Sequence, residues 1–218
     1  MTRYEFVPMH TIIPPGRSGD VSIEHFEVNA AASRATQMRA AFGHPDEYVE
    51  PGTYCRLLVG GGVMMSDTRN EQRTNTAVIR EARGRVLIAG LGIGMVVVPI
   101  ARKPEVSSIA IVEKSPDVIA LVAPHLLKAT QGKLQVIEAD IFEWKPAKGS
   151  SYDAIYFDIW ANICTDNLDG MGKLHRRFCH YRSKGGWMDS WERDLLKYRR
   201  GQERRQNREL SYFRRARP

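Results

Sequence analysis

VLIAGLGIGM, residues 86–95, decides the fold. Val86, Leu87 and Ile88 form a short apolar run suited to a strand covered on both faces, and Gly90, Gly92 and Gly94 follow at every second position. Glycines there let the backbone turn sharply and approach a ligand with no Cβ in the way. A buried strand running straight into such a turn predicts a nucleotide-like site at the carboxyl edge of a sheet.

The residues that follow keep alternating between two periods. VLIAG is followed by GMVVVPIAR (94–102), SIAIVE (108–113), SPDVIALVAPHLLKA (115–129), LQVIEAD (134–140) and YDAIYFD (152–158). Strands separated by helices of this length predict right-handed crossovers and an α/β, Rossmann-like, doubly wound and mostly parallel sheet. Ser115 and Pro116 mark a helix start, as an N-cap and a proline in the first turn, and Pro124 is expected to kink or split that helix. A helix over about 169–182 and a short fifth strand in KGGWMDSW (184–191) complete this core.

Upstream, VSIEHFEVN (21–29) reads as a strand, AAASRATQMRAAF (30–42) as a helix, and TYCRLLVGGGVMMSD (53–67) as a hairpin around Gly60, Gly61 and Gly62. Thr68 and Glu71 have the spacing of a capping box, which predicts a helix from Thr68 towards Gly84. The chain therefore divides into an α+β lead-in (1–84), a cofactor-binding core (85–190) and a basic helical tail (191–218) with Gly201 as a break.

Composition narrows the function classes. With 218 residues and 43% hydrophobic content the chain buries a real core. It has no apolar run of about 18 residues, and MTRYEFVPMH lacks a signal-peptide pattern, so no membrane segment and a cytoplasmic location are expected. Cys55, Cys164 and Cys179 form no CxxC pair, and Cys179, His180 and His175 lack a second ligand cluster, so neither a disulfide framework nor a metal site is expected. The net charge of +7 is local: residues 171–218 hold 15 Lys and Arg against 5 Asp and Glu, the preceding 170 residues 17 against 20.

Four groups at strand ends define the ligand. Met95 stands where a dinucleotide fingerprint needs a small third residue, which disfavours NAD and FAD. Glu113, 23 residues after Gly90, is placed to accept from both hydroxyls of a ribose. Asp140 ends the next strand, where a carboxylate or adjacent amide can read an adenine edge, and Asp158 closes the fourth. Together they converge on the crevice where open α/β sheets bind ligands.

With these residues in place, the sequence over about residues 55–190 resembles the class I S-adenosylmethionine-dependent methyltransferases, and within them the spermidine-synthase-like branch. There too a hairpin and a helix precede the glycine strand, as GGVMMSDTRNEQRTN precedes VLIAGLGIG, and an aliphatic residue, here Ile88, stands two before the first glycine. The resemblance implies S-adenosylmethionine as cofactor, with Gly90, Gly92 and Gly94 beneath its methionine portion, Glu113 on the ribose, and Asp140 with Ile141 at the adenine. Asp158 matches the acid that takes a proton from the attacking amine in aminopropyltransferases. Trp160 and Glu71 are candidate substrate contacts.

Departures from that branch bear on the reaction. Ala161 stands where aminopropyltransferases carry a second aspartate, and Thr74 and Asn75 replace their substrate-lining tyrosine and glutamine. A dication would lose an anionic partner there, so methyl transfer to an unidentified acceptor is favoured over aminopropyl transfer from the decarboxylated cofactor, with an inert adenosyl-ligand or nucleic-acid binding protein as the third reading. DIWA at residues 158–161 is not the DPPY-type motif of exocyclic-amine DNA methyltransferases. After Trp191 no alternating apolar run remains: either the sheet stops at about five strands or the tail covers its edge, and an uncovered edge suits a homodimer. Arg199, Arg200, Arg204, Arg205, Arg208, Arg214 and Arg215, with Tyr198, Tyr212 and Phe213, suit nucleic-acid phosphates and bases, against a solvated helix offset by Glu203 and Glu209.

Overall fold

The structure is a computed structural model that describes residues 6–42 and 47–215, with side chains described as far as Arg208. The side chains of Glu209, Tyr212, Phe213, Arg214 and Arg215 lie outside the described residues.

An antiparallel sheet comes first, in the order β1 (Gly16–Ser18), β2 (Val21–Val28), β3 (Gly52–Val59) and β4 (Gly62–Ser66). The glycine hairpin expected from sequence joins β3 to β4, and β2 pairs with β3 along its whole length. Strand β1, Gly-Arg-Ser, has no apolar alternation and gave no sequence signal. Helix α1 (Ala30–Ala41) starts at Asn29, whose side chain accepts from the Ala32 amide, and buries only Ser33.

One helix was expected from Thr68; two short ones form, α2 (Arg69–Thr74) and α3 (Thr76–Glu81). The capping box does not form either: the Thr68 hydroxyl pairs with that of Ser66, and the Glu71 carboxyl takes the Ser66 N–H. Side chains at the junction compete for the helix carbonyls, since Asn75 Nδ2 donates to Glu71 and the Thr76 hydroxyl to Gln72 and Arg73. Asn75 Oδ1 meanwhile accepts from the buried Tyr156 hydroxyl, a contact across 81 residues that no local pattern announces.

The second sheet is parallel throughout, in the order β7-β6-β5-β8-β9, from β5 (Gly84–Ala89), β6 (Val106–Glu113), β7 (Leu134–Glu138), β8 (Tyr152–Phe157) and β9 (Arg182–Ser190). Helices α4 (Val97–Ala101) and α5 (Pro116–Ala129) cross on one face, and α6 (Asn167–Phe178) joins β8 to β9 on the other. Val86 and Ile88 face the first core with the N-terminal sheet, while Leu87 and Ala89 face the second with Leu174 and Phe178 of α6. This alternation explains the unbroken apolar run, because each face of a doubly wound strand is buried. The crossover after β5 is shorter than expected, and the one after β7 has no helix.

Neither helix-breaking residue interrupts its helix. Pro124 lies inside a continuous α5, and α7 (Arg193–Arg215) runs through Gly201. The Ser115 side chain caps α5 by accepting from Val118. Among the described residues the sheet has five strands, and α7 leaves its edge to lie on α6. No helix among them is long and apolar enough to cross a membrane.

Strand β5 lies where the chain order reverses, between β6 and β8. Gly90 follows at φ +96°, donating to the Val112 carbonyl, while the Asp158 amide donates to Ala89. A Cβ on Gly90 would stand inside the Asp158 carbonyl oxygen. Gly90→Ala is therefore expected to destabilise the protein by about 3 kcal/mol or more, because left-handed strain adds to a backbone clash that no rotamer relieves. Urea unfolding of the two proteins measures this.

Candidate functional site

A cavity of about 740 Å³ opens at the carboxyl edge of the parallel sheet, roofed by the β3–β4 hairpin. Its wall includes Gly90, Gly92, Glu113, Asp140, Ile141, Asp158, Trp160 and Glu71, so eight residues singled out from sequence meet in one place. Gly94 is the exception: its missing Cβ makes room for Leu126 of α5, and it does not line the cavity.

The other two glycines also have protein neighbours. Gly92, at φ +50°, leaves space for Met65 of the hairpin, whose sulfur accepts the Ile93 N–H at 3.4 Å. The turn is thus shaped as much by close packing of the hairpin, β8 and α5 as by clearance for a ligand. Its exposed surface is the segment Gly90–Gly92, with Met95 buried beside it.

On one side lie Glu113, Asp140 and their partners. Glu113 accepts from the amides of Leu91 and Ser115, each at 2.8 Å, which fixes the carboxylate against the glycine turn. A carboxylate offers about four lone-pair sites, so both oxygens can still accept from a vicinal diol. Asp140 accepts from Lys114 at 2.8 Å and from the Phe142 amide at 2.9 Å. The Lys114 hydrogen bond, then that of Phe142, holds its carboxyl below the usual carboxylate range, so it is ionised at neutral pH. Sequence reasoning had not singled out Lys114 as a site residue, although it directly follows Glu113.

On the other side Asp158, Glu71, Tyr156, Asn75, Trp160 and Trp191 line the wall. Asp158 is deeply enclosed by protein and half-buried in area, open towards the cavity. Burial pushes its carboxyl up to about 7, and the nearby charge of Glu71 adds to the shift. Glu71 is itself raised, chiefly by burial. Of these two acids Asp158, raised to about 7, is the one that can take up a proton near physiological pH. Trp191 Nε1 donates to the Thr74 hydroxyl at 3.2 Å, tying the end of β9 to α2. Glu71 lines the cavity from α2, where its carboxyl takes the Ser66 N–H rather than closing a capping box.

The remaining sequence candidates are dispersed. His175 bonds the Ser190 hydroxyl at 2.9 Å, and burial pushes its imidazole down to about 4, so it is neutral. Among the described residues no three His, Cys, Asp or Glu side chains are grouped to hold a metal ion. In the tail, Arg200 is engaged with Asp169 and Thr165 and Arg199 with Ile163, whereas Arg204 and Arg205 are exposed.

No protein-family model and no curated protein matches this chain. Solved structures match part of it. The methyltransferase domain of bacterial CtHen1 is 19% identical over 42% of this chain, with a TM-score of 0.35, and the chain spans 51% of that domain's length. The N-methyltransferase NodS from Bradyrhizobium japonicum WM9 is 15% identical over 55% of this chain and 66% of its own, with a TM-score of 0.42. A S-adenosylmethionine-dependent methyltransferase from Streptococcus mutans, described as putative, is 18% identical over 63% of this chain and 38% of its own, with a TM-score of 0.47.

The raised Asp158 carboxyl has a consequence for stability. Unfolded, it titrates near its ordinary 3.8; folded, it holds its proton up to about 7. Below both values it has no effect, and its burial cost grows as pH rises between them and is full above about 7. Asp158→Asn is therefore expected to match wild-type stability near pH 4 and exceed it at pH 8, by at most about 4 kcal/mol. Urea unfolding at the two pH values checks the sign.

Proposed function

We propose that this protein is a S-adenosylmethionine-dependent methyltransferase acting on an amine. The observation that carries the reading is the convergence of the Gly90–Gly92 turn, Glu113, Asp140 and Asp158 on one cavity at the carboxyl edge of the sheet. The residues present fit the cofactor. Glu113 has lone pairs left for two ribose hydroxyls, Ile141 and Phe142 offer apolar surface for a purine, and the Gly90–Gly92 backbone admits a methionine chain. When bound, a sulfonium supplies the methyl group and a leaving group that needs no protonation.

What remains for the chain is positioning and one proton. Holding donor and acceptor in line supplies most of the acceleration. An amine arriving as ammonium must lose a proton before it can attack, and Asp158, with its carboxyl near 7, is the group poised to take it. Glu71 keeps that carboxyl basic, and Trp160 and Trp191 supply aromatic surface that suits a cation.

A second reading, aminopropyl transfer from the decarboxylated cofactor, is favoured by one observation: Glu71 brings a second carboxyl beside Asp158 although Ala161 does not. Calorimetry with S-adenosylmethionine, its decarboxylated form and S-adenosylhomocysteine separates the two. Methyl transfer is expected to go with binding of the first and third, aminopropyl transfer with preference for the second. Binding of none of them would sink both enzyme readings.

Methyl transfer to a panel of amines tests the proton step. Turnover is expected to rise with pH through about 7, as Asp158 ionises. Asp158→Asn should remove that limb and lower turnover by about a hundredfold or more while S-adenosylhomocysteine still binds. Unchanged turnover in the variant would eliminate Asp158 as the base.

A further inference from the structure

Two arginines outside the cavity each hold one of the loops that form it. Arg177, on α6, donates to four successive carbonyls of the loop after β7: Nη1 to Ile141 at 3.1 Å and to Phe142, Nη2 to Glu143 at 2.9 Å and Trp144 at 2.6 Å. That loop opens with a tight turn, in which the amides of Glu143 and Trp144 bond back to the Asp140 carbonyl. Its own carbonyls face outward like those at a helix end, and Arg177 supplies their donors. The guanidinium also lies 5.6 Å over the Phe178 ring, which stacks on Trp144 of the same loop.

Arg200, from the basic tail, grips the loop after β8. Nη2 donates to the Thr165 carbonyl at 2.6 Å and Nη1 to Asp169 at 3.0 Å. One turn on, Glu203 accepts from the Thr165 hydroxyl, and Arg199 reaches the Ile163 carbonyl. The two held loops present Ile141 and Phe142, and Trp160 and Ala161, to the cavity. They meet over Gly170 in the first turn of α6, where Phe142 and Trp160 stand 3.6 and 3.7 Å from the place of a Cβ.

We propose that Arg177 and Arg200 are positioning residues that divide the cavity between them. Arg177 orders the loop that receives the adenosyl group, and Arg200 makes the arginine-rich tail a strut for the loop that faces the acceptor. The assignment of ligands to the two halves rests on the methyltransferase reading, whereas the ordering of each loop does not.

The test uses Arg177→Ala, Arg177→Lys, Arg200→Ala and Arg200→Lys in the full chain. Amide hydrogen exchange is followed over residues 141–145, over 167–169, whose amides bond back to the Cys164, Thr165 and Asp166 carbonyls of the second loop, and over strand β5, together with calorimetry of S-adenosylhomocysteine. Arg177→Ala is expected to speed exchange in 141–145 alone and weaken S-adenosylhomocysteine by about tenfold, whereas Arg200→Ala should speed exchange in 167–169 alone and leave that affinity within about twofold. Neither lysine should restore its loop, because a point-like ammonium cannot span carbonyls that a planar guanidinium bridges. Loss of protection in β5 along with the loops, unchanged exchange in either loop, or wild-type affinity in Arg177→Ala would overturn the proposal. If wild-type protein binds no S-adenosylhomocysteine while each alanine variant still frees only its own loop, the methyltransferase reading fails and the loop assignment stands.

Discussion

The crossing of Gly90 under the carbonyl of Asp158 is the constraint on which the rest of the molecule depends. At this point the chain leaving β5 passes between β6 and β8, and the backbones are too close for any side chain. The crevice at the carboxyl edge opens because connections run to opposite faces on either side of that crossing. Glu113 and Asp158 reach the cavity from the two flanking strands, and the hairpin roofs it by settling Met65 onto Gly92. A Cβ at Gly90 would separate strands and site together.

Electrostatics then divides the cavity. Glu113 and Asp140 are surrounded by donors, two backbone amides for one, Lys114 and Phe142 for the other. Asp158 and Glu71 are raised instead, chiefly by burial, with the charge of Glu71 adding to the shift at Asp158 and the Ser66 N–H opposing the shift at Glu71. Carboxylates of the same chemistry are thereby tuned apart, Asp140 held ionised by its donors and the desolvated Asp158 able to carry a proton near neutrality. The fold achieves this separation with Glu113, Asp140 and Asp158 at strand ends and Glu71 on α2.

The basic tail illustrates how a compositional feature changes meaning once it is docked. An arginine-rich segment reads as a polyanion-binding surface, yet on α7 Arg200 is half-buried against the Thr165 carbonyl and Asp169, and the exposed Arg199 and Glu203 reach the Ile163 carbonyl and the Thr165 hydroxyl of the loop after β8. Other exposed arginines, Arg204 and Arg205 among them, lie further along the helix. Lying on α6, the helix bonds to the loop that follows β8, and among the described residues the sheet has five parallel strands.

What the sequence by itself determined is everything that depends on local period and local chemistry. Apolar runs flanked by turn residues located the parallel strands, Ser115 with Pro116 located the start of α5, and the carboxylates at strand ends located the cavity wall, because a parallel sheet brings all its carboxyl ends to one edge. Only the tertiary structure decided matters set by contacts between distant residues. Tyr156 donates to the Asn75 side chain, 81 residues back along the chain, at the break between α2 and α3. Leu126 claims the space at Gly94, and Arg177 and Arg200 find carbonyls more than thirty residues back along the chain. The physical reason is the same in each case: a hydrogen-bonding group or a vacant Cβ position announces that it needs a neighbour, but packing alone chooses which one.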